Sequence, residues 1–289
     1  MKLYAISDLH LSALENRQAL KDLPPHPDDW LIVAGDVAQN VRRFRAAFAL
    51  LADRFAKVFW TPGNHDLWTV DPTGNDARGI FKYNELVSIC RQLGVVTPED
   101  PYVVWPGSDP PLFIVPIFTL YDYTFSATGV TPETAVSWAA ASGLECADEN
   151  FLYPDPFPTR AGWCNARCRY TERRLQKTAV QGQMILVSHF PLRQDLIDLP
   201  RIPRFSIWCG THQTEDWHIR FPVTAVIYGH LHMRDSITKD GVRFDEVSLG
   251  YPRHWDQHAG LESYLRQILP RPPYAYVPSS QLPQISQFG

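Results

Sequence analysis

Short apolar segments with strand-like composition recur along this 289-residue chain, and each ends in polar side chains that can bind a metal or move a proton. The segments cover residues 3–6, 31–34, 58–60, 185–187 and 225–228. The polar residues that follow them are Asp8, His10, Asp36, Asn64, His65, His189, His230 and His232. In open α/β sheets, ligands and catalytic groups gather beyond the carboxyl ends of the strands. The pattern therefore predicts one shared site, which we interpret as a pair of metal ions.

Helical periodicity between these segments favours an α/β domain with parallel strands. The spacing of Val41, Phe44, Phe48, Leu51 and Phe55 follows a 3.6-residue period and predicts a crossover helix. The sequence also predicts a helix over residues 83–93, strands over 103–105 and 112–115, helices near 132–142 and 162–181, and a hairpin with its turn at residues 239–241. The hairpin is expected to add antiparallel strands at the end of the sheet.

Length and patterning indicate a single domain with an insertion. A chain of 289 residues can bury the core of one large α/β domain, and we assign residues 1–269 to it. Residues 119–182 lie between site-bearing segments and are interpreted as an elaboration of that core. The tail, residues 270–289, contains several prolines and no periodicity, so it is expected to lie loosely on the surface.

Composition excludes several classes of protein. A formal net charge of −4 argues against a protein that coats nucleic acid or an anionic membrane. The first apolar run is too short for a signal peptide, and no stretch approaches the ~20 apolar residues that span a bilayer. Five scattered cysteines suit a reducing compartment. We therefore expect a cytoplasmic protein with no nucleic-acid or membrane partner. Cys164 and Cys168, four residues apart, are expected to be packing residues, with zinc binding as the alternative.

The polar blocks, taken in order, resemble the five signature blocks of the calcineurin-like metallophosphoesterases. The blocks are Asp8-Leu9-His10, Gly35-Asp36, Gly63-Asn64-His65-Asp66, Ser188-His189 and Gly229-His230-Leu231-His232. They extend over most of the chain. The resemblance implies a four-layer α/β fold, with central mixed β-sheets flanked by helices, and a dinuclear-metal-dependent phosphoester hydrolase.

The resemblance also implies a role for each residue. One metal would be held by Asp8, His10, Asp36 and His232, and the other by Asp36, Asn64, His189 and His230, so that Asp36 bridges them. Nitrogen and oxygen ligands without thiolate suit manganese, iron or zinc. Metal-activated water would attack phosphorus in line, so no covalent nucleophile is needed. His65 would donate a hydrogen bond or proton to the leaving oxygen, and Asp66 is expected to orient His65 and keep it protonated.

Longer runs narrow the expected substrate. Residues 29–37, 55–58, 62–69, 208–211 and 247–252 resemble a bacterial subgroup that includes phosphopantetheinyl hydrolases. This resemblance implies release of 4′-phosphopantetheine from a carrier protein. The alternatives are a phosphodiesterase or phosphatase acting on a small molecule such as a nucleotide, a nuclease, and a non-catalytic scaffold. Full retention of the blocks argues against the scaffold, and the acidic balance argues against the nuclease.

Two surfaces are candidates for contact with a carrier protein. The first is a helix rich in basic residues, which is interpreted either as a solvated face or as a docking surface for an acidic partner. Its basic residues are Arg160, Arg167, Arg169, Arg173, Arg174 and Lys177. The second is a channel for the pantetheine arm, which Trp163 and Tyr170, or residues 121–125, would line. Outside the blocks, Arg253 and His254 are the residues best placed to fold back over the site.

Overall fold

Strands and helices alternate along residues 1–70 and 77–271, the part of the chain that this computed structural model describes. The strands are β1 (Leu3–Ile6), β2 (His26–Val33), β3 (Phe55–Trp60), β4 (Val103–Val104), β5 (Leu112–Pro116), β6 (Gln183–Val187), β7 (Val223–Tyr228), β8 (Ser236–Lys239), β9 (Val242–Glu246) and β10 (Arg266–Leu269). The α-helices are α1 (Leu14–Asp22), α2 (Val41–Arg54), α3 (Asn64–Leu67), α4 (Gly79–Gln92), α5 (Pro132–Ala140), α6 (Asp148–Phe151), α7 (Arg160–Ala179) and α8 (Trp217–Arg220). Within those described ranges, no helix is long and apolar enough to cross a bilayer.

The strands form two mixed sheets. The first has four strands in the order β10-β1-β2-β3, with β1, β2 and β3 parallel and β10 antiparallel to β1. The second has six strands in the order β4-β5-β6-β7-β9-β8. Its four inner strands are parallel, and β4 and β8 are antiparallel to their neighbours. The carboxyl ends of the parallel strands therefore lie at one edge of each sheet.

Strands β1, β5, β6 and β7 and the second half of β2 are largely apolar on both faces, which is why they are hydrophobic runs in the sequence. In β2, Trp30 and Ile32 belong to a buried cluster that includes residues of both sheets, whereas Leu31 and Val33 belong to a larger cluster shared with the helices. Successive side chains of a strand point to opposite faces. The two sheets thus pack face to face and the helices cover their outer faces, which confirms the predicted four-layer α/β arrangement.

Most predicted elements are confirmed, and the structure corrects the end of the second sheet. Helix α2 connects the parallel strands β2 and β3 as predicted. The hairpin forms between β8 and β9, with Asp240 and Gly241 at φ 52° and 77° in its turn. The expected antiparallel pair at the end of the sheet is confirmed for β8 and β9, but β9 joins the sheet by running parallel to β7. Strand β10 and helix α1 were not predicted.

The insertion packs into the main core. Residues 119–182 contribute α5, α6 and α7, and their buried Ala135, Trp163 and Leu175 lie in the same hydrophobic cluster as Leu31 of β2. This shared packing supports the proposal that residues 1–269 form one domain. The predicted proline-rich tail lies, from residue 272 onward, outside the described residues.

Candidate metal centre

The eight site residues predicted from the sequence converge at the edge where the two sheets meet. Strand β1 is followed by Asp8 and His10, β2 by Asp36, β3 by Asn64 and His65, β6 by His189, and β7 by His230 and His232. Three groups of potential metal ligands result, and in each group the ligand atoms lie within 4.8 Å of one another. The groups are Asp8 with His10 and His232, His10 with Asp36 and His65, and Asp8 with Asp36 and His189.

The backbone at several of these residues adopts an uncommon conformation. Asp8, His10, Asp36, His230 and His232 have φ values of 54°, 40°, 54°, 73° and 55°. Non-glycine residues with positive φ are rare and each costs about 1–3 kcal/mol, so such residues persist only where surrounding structure enforces them. All five residues lie in three loops of one site, so the fold gives up some stability to hold these side chains in their orientations.

Asp8 is fixed through one oxygen and presents the other to the site. Its Oδ2 accepts hydrogen bonds from Ser7 Oγ at 2.5 Å, from Ser248 Oγ at 2.8 Å and from the His230 backbone N–H at 3.0 Å. Its Oδ1 lies 3.0 Å from His232 Nε2 and 3.7 Å from His10 Nε2. These three ligand atoms form a compact group that could hold one cation.

A second group forms around His189. The Nδ1 of His189 lies 2.8 Å from the carbonyl oxygen of Ala34, to which it donates, so Nε2 carries the free lone pair. That Nε2 lies 3.2 Å from Asn64 Oδ1 and 3.6 Å from Asp36 Oδ1. The ring of His230 lies beside His189, with centroids 5.1 Å apart.

Asp36 lies between the two groups. Its Oδ1 faces His189, while its Oδ2 lies 3.9 Å from His10 Nε2. Burial raises the pKa of Asp36 well above its ordinary value, and the charges of Asp8 and Asp66 raise it further. A cation at either oxygen would relieve this unfavourable burial of negative charge. The space beside Asp36 is also restricted, because a Cβ on Gly63 would collide with the Asp36 carboxylate.

Burial favours the neutral form, which metal binding requires, at three of the candidate imidazole ligands. Burial lowers the pKa of His10 and of His230 well below the ordinary value, and it also lowers that of His189. His232 differs: burial lowers its pKa, but the charge of Asp8, the hydrogen bond to Asp8 and the charge of Glu246 together outweigh burial and raise the pKa. Burial alone would raise the pKa of Asp8, but the surrounding histidines, above all His232 through its charge and its hydrogen bond, together outweigh burial and hold the pKa well below its ordinary value.

One buried nitrogen in the site has no partner among the described residues. His230 Nε2 is fully buried and makes no hydrogen bond there. Buried polar atoms are nearly always hydrogen-bonded, so an orphaned one calls for a reason. Ligation of a cation would supply that reason, since the ring of His230 lies beside that of His189 in the site. Together with the neutral imidazoles, this atom shows that the residues present fit a divalent metal site.

His65 has different partners from those predicted. Its Nδ1 lies 3.1 Å from Gln39 Nε2, its Nε2 lies 3.8 Å from Asp36 Oδ2, and its ring stacks on Trp68 with centroids 3.8 Å apart. Burial lowers the pKa of His65 to about 3. The prediction that Asp66 orients His65 and keeps it protonated is therefore wrong. Gln39, which no sequence pattern singled out, is the hydrogen-bond partner of His65 instead.

Asp66 instead organises the backbone around Asp36. Its carboxylate accepts hydrogen bonds from the backbone N–H groups of Asp36, Val37 and Ala38 at 3.1, 2.8 and 3.1 Å. It also accepts from the Gly63 N–H at 3.1 Å and from the Trp60 indole at 3.3 Å. A single buried side chain thereby connects the loop after β2 to the loop after β3.

Replacing Asp66 by alanine should destabilise the metal-free protein by more than about 3 kcal/mol, since each buried donor left without a partner costs about 1–3 kcal/mol. Urea unfolding in the presence of a chelator measures the loss without a contribution from bound metal. Asp66→Asn, which keeps one acceptor oxygen, should lose much less. An alanine variant as stable as the wild type would contradict the assigned role.

The segment after β9 closes one side of the site. Tyr251 stacks on His10 with centroids 4.3 Å apart and planes 15° apart, and His254 Nδ1 lies 3.2 Å from His232 Nδ1. The segment is anchored by the buried Asn16, whose Nδ2 donates to the Gly250 carbonyl at 2.9 Å. The sequence had singled out His254 and Arg253 for this place. Tyr251, which contacts a candidate ligand directly, was missed.

Most of the aromatic residues predicted to line a channel are buried, and only Tyr170 among them is half-buried. Trp163, Tyr121 and Phe125 are fully buried, and Tyr123 is 8% exposed. These side chains belong to the hydrophobic core, except that Phe125 packs close beneath Gly210. Cys164 and Cys168 are likewise buried free cysteines, as expected for packing residues.

Comparison with known proteins places this geometry in a family. The family model for calcineurin-like phosphoesterases matches residues 1–234. The acyl-carrier-protein phosphodiesterase PptH of Mycobacterium tuberculosis is 46% identical over 275 residues, which cover 94% of this chain and 85% of that protein. An uncharacterized protein of Acanthamoeba polyphaga mimivirus is 22% identical over 306 residues, with 96% of each chain covered.

A solved structure agrees with the sequence relationship. The crystal structure of the phosphopantetheinyl hydrolase PptH from Mycobacterium tuberculosis superimposes with a TM-score of 0.89 at 45% identity, covering 96% of this chain and 98% of that one. The residues matched by the family model include all eight candidate site residues, from Asp8 to His232. The chain therefore belongs to the calcineurin-like phosphoesterases, a family of hydrolases that use divalent metals.

Proposed function

We propose that this protein is a phosphodiesterase with two divalent metal ions joined by Asp36. Asp8, His10, Asp36 and His232 would hold one ion, and Asp36, Asn64, His189 and His230 the other. The observation that carries this assignment is the orientation of Asp36, whose two oxygens face separate histidines at 3.6 and 3.9 Å. Two-metal sites hold their ions ~3.5–4 Å apart, a distance that one carboxylate can bridge.

The donor atoms narrow the choice of metal. The candidate groups contain imidazole nitrogens with carboxylate oxygens, and Asn64 adds an amide oxygen; none of the groups found among the described residues contains a cysteine. Such mixed nitrogen and oxygen sites suit manganese, iron or zinc better than calcium or magnesium, which prefer oxygen alone.

The reaction would be an in-line displacement at phosphorus. When bound, the metals would polarise the phosphoryl oxygens and make a water molecule acidic enough to react near neutral pH. Because Gln39 Nε2 donates to His65 Nδ1, the proton of the neutral His65 ring lies on Nε2, which faces the site. His65 can therefore donate a hydrogen bond to the leaving oxygen without first becoming a cation.

The proposed substrate is a carrier protein bearing 4′-phosphopantetheine. This proposal takes its support from PptH, which is described as an acyl-carrier-protein phosphodiesterase and shares 46% of the aligned residues. The rim of the site suits an anionic diester, since Arg253 is exposed beside Tyr251, with its guanidinium 5.5 Å from that ring. A guanidinium in such a place can hold a phosphate oxygen.

Mass spectrometry tests this function directly. Purified protein with manganese is incubated with holo carrier protein, and the expected result is loss of one phosphopantetheine-sized mass from the carrier with recovery of its apo form. The reaction in ¹⁸O-labelled water should place the label in the released phosphopantetheine. An unchanged carrier together with rapid turnover of a cyclic nucleotide would instead establish the small-molecule alternative.

The basic helix offers less docking surface than the sequence predicted. Arg167 is 9% exposed and pairs with Glu99 at 2.7 Å, Arg160 pairs with Glu149 at 2.7 Å, and Arg174 donates to the carbonyls of Pro98 and Asp100. These arginines hold α7 to the core. The exposed basic residues that remain on this helix are Arg169, Arg173 and Lys177.

Charge reversal at Arg169 and Arg173 should lower kcat/KM for an acidic carrier protein while leaving hydrolysis of a small chromogenic diester unchanged. The reason is that exposed charges at the rim of an interface act mainly on the rate of association. The loss should shrink as salt is added. Lys21→Glu, at an exposed position of α1, serves as the matched control. Equal effects on both substrates would favour the alternative interpretation, a solvated helix face.

A further inference from the structure

Asp148, in the insertion, is a buried carboxylate that touches the site without facing its centre. It lies in α6 and is fully buried. Its Oδ1 accepts hydrogen bonds from Asn64 Nδ2 at 2.9 Å and from the Trp68 indole at 2.6 Å, and its Oδ2 accepts from the Tyr121 hydroxyl at 2.9 Å. Both oxygens therefore have donors, two of which, Asn64 and Trp68, lie at the start and just past the end of α3.

The hydrogen bond to Asn64 decides which way its amide points. An asparagine amide has a donor end and an acceptor end, and only the oxygen can ligate a metal. With Nδ2 donating to Asp148, Oδ1 is directed to the other side, where it lies 3.2 Å from His189 Nε2. Without that acceptor, nothing in these contacts would prevent the amide from turning its nitrogen toward the centre.

The hydrogen bond to Trp68 has a consequence for His65. The indole of Trp68 stacks on the His65 ring at 3.8 Å and 26°. Because Asp148 fixes the Nε1 edge of this indole, it also fixes the surface against which His65 rests. One carboxylate thus acts on a candidate metal ligand and on the candidate proton donor at the same time.

The insertion holds Asp148 firmly. Arg160 of α7 donates to the backbone carbonyls of Asp148 and Glu149, both at 2.8 Å, and its Nη1 lies 2.7 Å from the Glu149 carboxylate. A positively charged side chain that satisfies the carbonyls of a four-residue helix replaces the capping that such a short helix lacks. Residues of the insertion therefore form a rigid support behind the site.

We propose that Asp148 is a positioning residue that orients Asn64 for metal binding and, through Trp68, holds the ring of His65 in place. The inference rests on the proposed function only in requiring that Asn64 ligates one of two ions. It gives the insertion a purpose in catalysis that is separate from any contact with substrate.

Manganese titration tests the inference on the metal itself. Asp148→Ala should weaken binding of one manganese ion by roughly 10–100-fold, the usual effect of removing a group that orients a metal ligand, and leave the other unchanged. Electron paramagnetic resonance should then show isolated manganese at concentrations that give a coupled pair in the wild type. Asp148→Asn should restore the pair, because its oxygen can accept from Asn64 and Trp68 while its amide donates to the Tyr121 hydroxyl.

Asp122→Ala is the matched control. Asp122 is also a buried carboxylate of the insertion, 5% exposed, but it accepts from Thr211 Oγ1 at 2.7 Å and Gln213 Nε2 at 3.0 Å, away from the candidate ligands. Trp68→Phe separates the two roles, since the ring stays over His65 but the indole N–H is lost. It should keep both manganese ions and lower kcat by up to roughly a hundredfold with little change in KM.

Unchanged manganese binding in Asp148→Ala, or an equal loss in Asp122→Ala, would overturn the inference. If the alanine variant does not fold, Asp148→Glu, which displaces the carboxylate by one methylene, replaces it. Weaker binding of one manganese ion is then expected, and unchanged binding would overturn the inference. The proposed function fails separately: a wild-type protein without a coupled manganese pair would remove the two-metal centre itself. A normal pair without carrier-protein hydrolysis would remove only the substrate.

Discussion

Replacing Asp36 by alanine should lower hydrolysis of every phosphoester substrate by about a thousandfold or more, since metal stabilisation of developing charge is worth several kcal/mol and each ~1.4 kcal/mol is a factor of ten. The substitution removes a carboxylate whose two oxygens face different histidines, Oδ1 at 3.6 Å from His189 and Oδ2 at 3.9 Å from His10. Metal content should fall with activity, because each proposed site loses a charged ligand. Steady-state kinetics and elemental analysis on the same preparation measure both effects.

The free energy of unfolding of the metal-free Asp36→Ala variant should be higher than that of the metal-free wild type, although the activity of the variant is lower. Burial raises the pKa of Asp36 well above its ordinary value, so the metal-free wild type carries an unfavourable group that alanine removes. Asp29→Ala, in the first half of β2 and away from the site, is the control and should keep both metal and activity. An Asp36→Ala enzyme with wild-type metal content and turnover would refute the shared-ligand assignment.

Replacing His65 by alanine should reduce kcat by roughly 10²–10⁴-fold while both metals stay bound, since this is the usual contribution of a positioned proton donor. His65 Nε2 lies 3.8 Å from Asp36 Oδ2, near enough to act on a substrate at the centre. The loss should grow as the leaving group becomes a poorer one. A series of diesters with graded leaving-group pKa values gives the dependence, and metal analysis shows whether the centre is intact.

Two variants sharpen the role of His65. His212→Ala removes an exposed histidine and should have no effect. Gln39→Leu should resemble a mild form of His65→Ala, because Gln39 fixes the proton of His65 on the nitrogen that faces the site. Loss of metal from the His65 variant, or an equal loss of rate for good and poor leaving groups, would mean that His65 is a ligand or a packing residue instead.

The sequence predicts the positions of the candidate ligands well because the ends of the strands can be recognised from the residue pattern. Four of the five apolar runs lie within a strand, and the fifth, residues 31–34, extends one residue beyond β2; the change from apolar to polar residues marks where the chain leaves the sheet. The parallel pairing of β1 with β2 and of β6 with β7 then brings these ends together. Local patterns therefore suffice to predict which residues converge, although not how each of them is oriented.

The supporting residues could not be predicted in the same way. Asp66 is adjacent to His65 in sequence, yet its carboxylate accepts from the N–H groups of Val37 and Ala38 instead. Asp148 follows no strand, and Gln39 lies in the loop after β2 but belongs to no sequence pattern that marks it as a partner of His65. A hydrogen bond between residues 84 positions apart, as between Asn64 and Asp148, leaves no local signature.

The basic helix shows a further limit of sequence patterns. A count of positive residues suggested a charged face, but side chains on one helix can point to opposite sides. Arg167 points inward and pairs with Glu99, whereas Arg173 is exposed. Buried arginines of this kind are held by carboxylates and carbonyls from elsewhere in the chain. Which half of the charges is available to a partner depends on the fold.

Anomalous diffraction from crystals grown with manganese tests the shared-ligand centre most directly. Data collected on both sides of the manganese absorption edge locate each ion without reference to activity. The account predicts two peaks ~3.5–4 Å apart, one in bonding contact with each oxygen of Asp36. A single peak, or two peaks of which only one touches Asp36, would contradict it.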